Sequence, residues 1–232
     1  RFRVEQPEVH LYPLVCFHIG AKQSSTKFIR HVLERVKSDP LARAIYMGDA
    51  GECVTRLSKG NIYEQLMSPG EQLRVAADLF GEIKHKLLFG IRGNHGNRID
   101  RETGVGWDEM LCARVGIPYF GVSALGDILL AGHKGTDATR SFSLYVHHGS
   151  TGSITMGGKV TAGRKPANLA FCDVALTAHH HGCFQAGAPS VIAVTKPHES
   201  KLEWKRMYMF SCGSAYDSRS GYAEEKMYPI LT

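Results

Sequence analysis

Apolar and polar positions along this chain alternate between two spacings. Residues 11–17 form a nearly unbroken apolar run, which predicts a buried strand. Over residues 24–37 the spacing changes to that of a helix: Phe28, Ile29, Val32, Leu33 and Val36 share one face, with Ser24 or Ser25 as N-cap. A strand follows at 42–47, and then a helix at 71–84 that turns Leu73, Ala76, Phe80 and Ile83 inward. Residues 86–91 predict another strand and 107–115 a short helix. The second half is strand-rich, at 128–132, 142–146, 174–177, 191–194 and 204–211. Helices early and strands late predict a layered α/β protein with large, partly mixed sheets. With no repeat, low-complexity tract or linker, a single domain over 1–232 is expected.

Four of the apolar strands run straight into polar clusters. VCFHIG carries His18, YMGDAGE carries Asp49, GIRGNHGNR carries Asn94 and His95, and YVHHGSTG carries His147 and His148. A fifth cluster, TAHHHG, brings His179, His180 and His181 after a short strand. Open α/β sheets bind ligands at the carboxyl ends of their strands, so short loops there would gather imidazoles, a carboxylate and a carboxamide. These are groups that bind divalent transition metals. Alternate residues of an extended segment point the same way, so His179 and His181 are expected to share a cavity while His180 points elsewhere. The same spacing relates Cys16 to His18. A lone His after a strand is usually structural, and a GD or GNH segment is an ordinary turn. The ordered conjunction is what points to a metal site.

Composition narrows the class. The chain is 43% apolar and 22% charged, close to an ordinary globular composition. No apolar run approaches the roughly 20 residues that cross a bilayer, and the opening RFRVEQPEVH does not resemble a signal peptide. Twenty-eight Lys and Arg against 22 Asp and Glu give a net charge of +6, which favours an anionic partner such as nucleic acid or a phosphorylated small molecule. The six cysteines form no CxxC pair and no disulfide-scaffold spacing, so a reducing, cytoplasmic setting is expected, with no membrane partner.

In order, these motifs resemble the calcineurin-like metallophosphoesterase superfamily, whose pattern is D-x-H, G-D, G-N-H-E/D, an isolated H before G, and G-H-x-H. Here the corresponding residues are Cys16 and His18, Gly48 and Asp49, Gly93 to His95, His148 and Gly149, and Ala178, His179 and His181. The segments IYEQLMSPGEQ and HHGSTG…GGK also resemble phage and prophage members, which would place the chain in a bacterial host. The resemblance implies a four-layer α-β-β-α sandwich of two mixed sheets flanked by helices. It implies two divalent metal ions, zinc, iron or manganese, at the strand ends. By position, Asp49 would bridge both ions. His18 and His181, with Cys16 in place of the missing Asp, would hold the first; Asn94, His148 and His179 would hold the second. His147 is the alternative to His148 and otherwise a substrate contact. His95 would be the catalytic residue facing the scissile phosphate, protonated to stabilise the transition state or protonate the departing oxygen. Arg92 and Arg98, flanking the GNH turn, would hold phosphate oxygens.

The chain departs from the pattern at three positions. Cys16 replaces the opening Asp and, as a softer ligand, shifts preference towards zinc or iron. Gly96 replaces the acid after GNH and would leave His95 less well held. Ala178 for Gly is a small change. The implied activity is hydrolysis of a phosphodiester, in DNA, RNA or a nucleotide, or of a phosphomonoester, with the diester favoured by the charge. Tyr119, Phe120, Tyr216 and Tyr222 are candidate pocket walls, each also suited to core packing. A metallo-β-lactamase-like enzyme would need an HxHxDH run, which is missing. The competing class is a domain that keeps the fold, has lost turnover, and binds nucleic acid or protein.

Overall fold

The computed structural model describes residues 1–58, 60–132, 140–150, 153, 155–165, 169, 171–196 and 199–217. Three parallel strands, β2 (His10–Leu14), β3 (Ala42–Tyr46) and β4 (Leu87–Gly90), make a small sheet with β3 in the middle. Six strands make a mixed sheet in the order β1-β5-β6-β7-β9-β8. They are β1 (Phe2–Val4), β5 (Ser123–Leu130), β6 (Arg140–His147), β7 (Val174–Thr177), β8 (Phe184–Lys196) and β9 (Glu199–Ser211). Within it β1 and β5, β6 and β7, and β7 and β9 run parallel; β5–β6 and β8–β9 are antiparallel.

Strand periodicity sets the layers. Ala42, Ala44 and Tyr46 of β3 face one side and Ile45 the other. The first side packs on helices α1 (Thr26–Ser38), α2 (Pro69–Gly81) and α4 (Trp107–Val115), through Ile29, Leu33, Val36, Ala76, Phe80 and Leu111. Ile45, Met47, Phe89 and Ile91 meet Val4, Ile128, Leu144, Val146 and Leu176 of the large sheet in a core between the sheets. The outer face of the large sheet buries Tyr145, Ala175, Met207 and Met209, and α5 (Met156–Gly163) covers it near β9. This is the four-layer α-β-β-α architecture that the resemblance implies, except that the smaller sheet is wholly parallel and not mixed.

Helix ends carry their own signals. Ser25 caps α1 by accepting from the Phe28 N–H. Ser68 and Glu71 form a capping box with Pro69 in the first turn, so α2 begins two residues before the predicted start at 71. Past the end of α1, the buried Lys86 ammonium donates to the carbonyls of Val36, Lys37 and Asp39 at 2.8, 2.9 and 2.6 Å. Those carbonyls have no partner inside the helix, and their oxygens replace the water the ammonium loses.

Three elements carry no readable pattern. β1 is three residues long; α3 (Gly96–Thr103) has Ile99 as its one large apolar residue; α5 contains three glycines. The strand predicted at 11–17 stops at Leu14. Beyond it the chain follows the β3 loop, with N–H bonds from Cys16 to Gly48 O, from His18 to Asp49 O and from Ile19 to Ala50 O. Cys16 and His18 have φ of 52° and 49°, so extended alternation does not relate them; neither does it relate His179 and His181, at 74° and 52°. No helix among the described residues is long and apolar enough to cross a membrane.

Candidate metal centre

The five polar clusters follow the C-terminal ends of β2, β3, β4, β6 and β7. Because β2, β3 and β4 are parallel, and β6 and β7 are parallel, each sheet delivers its loops to one edge. Two glycines let the β3 and β4 loops touch. A Cβ on Gly48, which has φ of +91°, would lie 2.4 Å from the Gly93 Cα. One on Gly93 would lie 2.1 Å from Asp49 Oδ1.

Asp49 is at the centre, 1% exposed. Its Oδ1 accepts from the His95 N–H at 2.8 Å, and its Oδ2 lies 2.9 Å from His148 Nε2. His148 Nδ1 is 2.7 Å from Met47 O; a carbonyl only accepts, so Nδ1 carries a proton and Nε2 turns to the cluster. Asn94 Oδ1 lies 2.9 Å from His148 Nε2 and 2.6 Å from His179 Nδ1. On the other side, His18 and His181 face each other through their Nε2 atoms at 3.2 Å, and Glu52 Oε2 lies 2.9 Å from His18 Nδ1. The Cys16 thiol belongs to both sides: its Sγ lies within 4.8 Å of nitrogens of His18 and His181, and equally of Asp49 and His148. His18, Asp49 and His95 form a third such group.

Burial and mutual charge set the protonation states. Burial would raise the Asp49 pKa, but His148, His95 and His18 hold it well below the usual carboxylate range. Burial lowers His148, and Asp49 more than restores it, for a net rise. Burial and then the nearby His18 push His181 well down, and burial takes His95 down to about 4 despite Asp49 and Glu52. Cys16 is raised well above an ordinary thiol by burial and then by Asp49. The cluster therefore pairs an ionised carboxylate with imidazoles, of which burial holds His95 and His181 neutral, and with a carboxamide oxygen, a donor set that suits divalent cations.

The backbone is strained at the same place. Among the described residues, the non-glycines with positive φ are Cys16, His18, Asp49, Cys53, His179 and His181. Each such conformation costs about 1–3 kcal/mol and persists where its surroundings over-determine it. All but Cys53 belong to the converging set.

The other candidate residues have specific places. His95 Nδ1 is 2.7 Å from Glu52 O, and its Nε2 is 3.2 Å from Arg98 NH2. The expectation that Gly96 leaves His95 poorly held is therefore corrected: Glu52 and Arg98 hold it. Burial also leaves its ring neutral in the free chain, so the proton expected on it would have to be gained with substrate. Arg98 further donates to Glu52 O at 3.2 Å, while Arg92 pairs with Asp100 at 3.1 Å on a part-exposed face. His147 turns away from the cluster. It stacks on Tyr145, which belongs to the core of the opposite sheet face, and its Nδ1 accepts from the Gly149 N–H at 2.7 Å. His180 stacks on Phe184, with its Nδ1 3.1 Å from Ser211 Oγ. Tyr216 lies edge-on to His18, their ring centroids 5.0 Å apart, and so walls the cluster. Phe120 packs on Phe2 and Phe89, Tyr119 pairs with the end of β4, and Tyr222 lies outside the described residues.

Two acids, the part-buried Glu52 and the buried Asp108, escaped the sequence reading. Glu52 sits in the quoted YMGDAGE segment and touches His18, His95 and Arg98. Asp108 opens α4, accepts from the Tyr46 hydroxyl and from the Gly93 N–H at 3.2 Å, and is pushed up to about 6 by burial. The signal for Asp108 was the vacancy at Gly96.

Neither a known protein family nor a curated protein matches the sequence. Among solved structures, the chain is similar to the calcineurin-like phosphoesterase YfkN from Bacillus subtilis, with a TM-score of 0.39 and 9% identity over 96% of each chain.

Proposed function

We propose that this chain is a metal-dependent phosphoesterase with a dinuclear centre. The observation that carries the reading is the buried convergence of Cys16, His18, Asp49, Asn94, His148, His179 and His181, with Asp49 and Cys16 common to both sides. His18, His181, Cys16 and Asp49 would hold one cation; Asn94, His148, His179 and Asp49 would hold the other. When bound, such a pair supplies Lewis acidity and a water that ionises near neutral pH.

The protein's own groups do the rest. Glu52 O accepts a hydrogen bond from the His95 Nδ1–H, which fixes the ring and leaves Nε2 to accept from Arg98. An entering phosphate anion would draw Arg98 off Nε2 and raise the pKa of that ring, favouring a proton on Nε2 that can pass to the leaving oxygen. Arg98, already positioned by Glu52, is placed to bind a non-bridging phosphate oxygen. Arg92 would have to leave Asp100 to do the same. The net charge of +6 favours a phosphodiester of nucleic acid or a nucleotide as substrate.

Metal analysis of the wild type and Asp49→Ala, with an aryl phosphodiester and an aryl phosphomonoester as substrates, tests this. About two metal ions per wild-type chain are expected, with faster diester hydrolysis and loss of both metal and turnover in the variant. Full activity in Asp49→Ala sinks the reading. A wild type that holds no metal, hydrolyses neither ester and binds DNA with a steep salt dependence would make the chain a binding module.

A further inference from the structure

We propose that Asp108 is a positioning residue of the metal centre, a carboxylate that α4 delivers to the space left open by Gly96. A Cβ built on Gly96 would lie 2.1 Å from Asp108 Oδ2 and 2.8 Å from its Cγ. The carboxylate thus fills the volume into which any side chain at 96 would project, directly after Asn94 and His95. Gly96 and Asp108 are alternatives for one space.

What Asp108 does there follows from its partners. It is 2% exposed. Oδ2 accepts from the N–H of Gly93, the residue before Asn94. Oδ1 accepts from the Tyr46 hydroxyl, which itself accepts from the N–H of Ala50, the residue after Asp49, at 3.3 Å. A single carboxylate therefore ties the loop carrying Asp49 to the loop carrying Asn94, at the point where Gly48 and Gly93 let them touch. Both groups facing Asp108 are donors. A carboxylate meets both with acceptors, whereas an amide turns its NH2 against one of them. Asp108 touches neither substrate nor cation in this arrangement; it sets the separation of the two residues that do.

The assignment rests on the metal-centre reading, and cobalt binding tests the two separately. Wild type, Asp108→Ala, Asp108→Asn, Gly96→Asp and the Gly96→Asp/Asp108→Ala double variant would be titrated with Co2+, following the visible absorption bands of the bound ion and the melting temperature of each metal-free protein. Wild type is expected to bind Co2+. Each single variant should lose affinity by about 10–100-fold, the usual cost of removing an outer-shell partner. Gly96→Asp alone suffers because two carboxylates cannot share the space. The double variant returns the carboxylate by the other route and should recover wild-type bands and most of the affinity. Wild-type affinity and bands in both Asp108→Ala and Asp108→Asn would overturn the proposal, whatever their melting temperatures. So would a double variant that binds no better than the weaker single one. Should Asp108→Ala fail to fold, the near-isosteric Asp108→Asn carries the comparison. Failure of the wild type to bind Co2+ would instead overturn the metal-centre reading, and this inference with it.

Discussion

Strand β2 has a histidine paired with a carboxylate at each end, and only one of the two pairs belongs to a site. At the N-terminal end, His10 Nδ1 lies 2.7 Å from Asp39, and Tyr12 donates to the same carboxylate. Past the C-terminal end, His18 Nδ1 lies 2.9 Å from Glu52. The pair distances barely differ; the surroundings do. The His10 side chain is 46% exposed and that of His18 2%. His10 has one further polar neighbour, Glu8, whereas the far nitrogen of His18 meets His181, and the ring edges lie against His95 and Tyr216. His18 also sits at positive φ. A histidine–acid pair is thus not by itself chemistry. Burial, convergence of further donors and a strained backbone make the difference, and all three occur where parallel strands end together.

The sharpest way to break the comparison is Cys16→Ala. With Asp49, the thiol reaches both halves of the C-terminal cluster, and among the described residues the His10 end has no counterpart. Metal content is expected to fall from about two ions per chain to about one, with loss of turnover. Unchanged stoichiometry would reduce Cys16 to a buried apolar residue.

Glu52→Gln should have the next largest effect. The amide keeps the shape but loses the charge that orients His18 and lies near His95 and Arg98. The backbone carbonyl of Glu52, which accepts from the His95 Nδ1–H, is untouched. His148 on the other side is oriented by Met47 O, which no side-chain change removes. A drop of about 10–100-fold in affinity at the His18 half, with the His148 half intact, is therefore expected in a metal titration. Equal weakening of both halves would show that Glu52 acts on the whole cluster.

These residues also show what the sequence made legible. The strand-end clusters were readable because each needs only a short apolar run and a few polar letters next to it. Residues 107–115 and 174–177 are legible to the residue, the first because Gly106 and Gly116 bound the helix and the second as a short apolar run. Glu52 was in plain view yet silent, because its aim at His18 depends on how the loop after Asp49 turns. Asp108 was further from reach. It is remote in sequence from the GNH turn and reads as an ordinary first-turn acid of α4. The alternation argument failed for Cys16/His18 and His179/His181 because positive φ replaces extended backbone there, and no spacing rule foresees that.

The smallest effect is expected at the other end of β2. His10→Ala should leave metal content and turnover unchanged, since nothing of the cluster reaches it. Its consequence is a pH-dependent change in stability. The hydrogen bond to Asp39 raises the His10 pKa above 6.5, and the same bond lowers that of Asp39 below 3.8. A raised histidine stabilises the fold fully below its unfolded pKa and loses that contribution as pH climbs through its folded value. A lowered carboxylate stabilises above its unfolded pKa and loses it as pH falls through its folded value. The pair therefore contributes most between about pH 4 and 6.5. The wild type should melt above His10→Ala in that window, by about 2 °C or less for an exposed pair, and the gap should close by pH 9 and narrow with added salt. A gap that instead widened towards alkaline pH would mean that His10 acts through packing on Tyr12, and the contrast between the two ends of the strand would no longer be one of ion pairs.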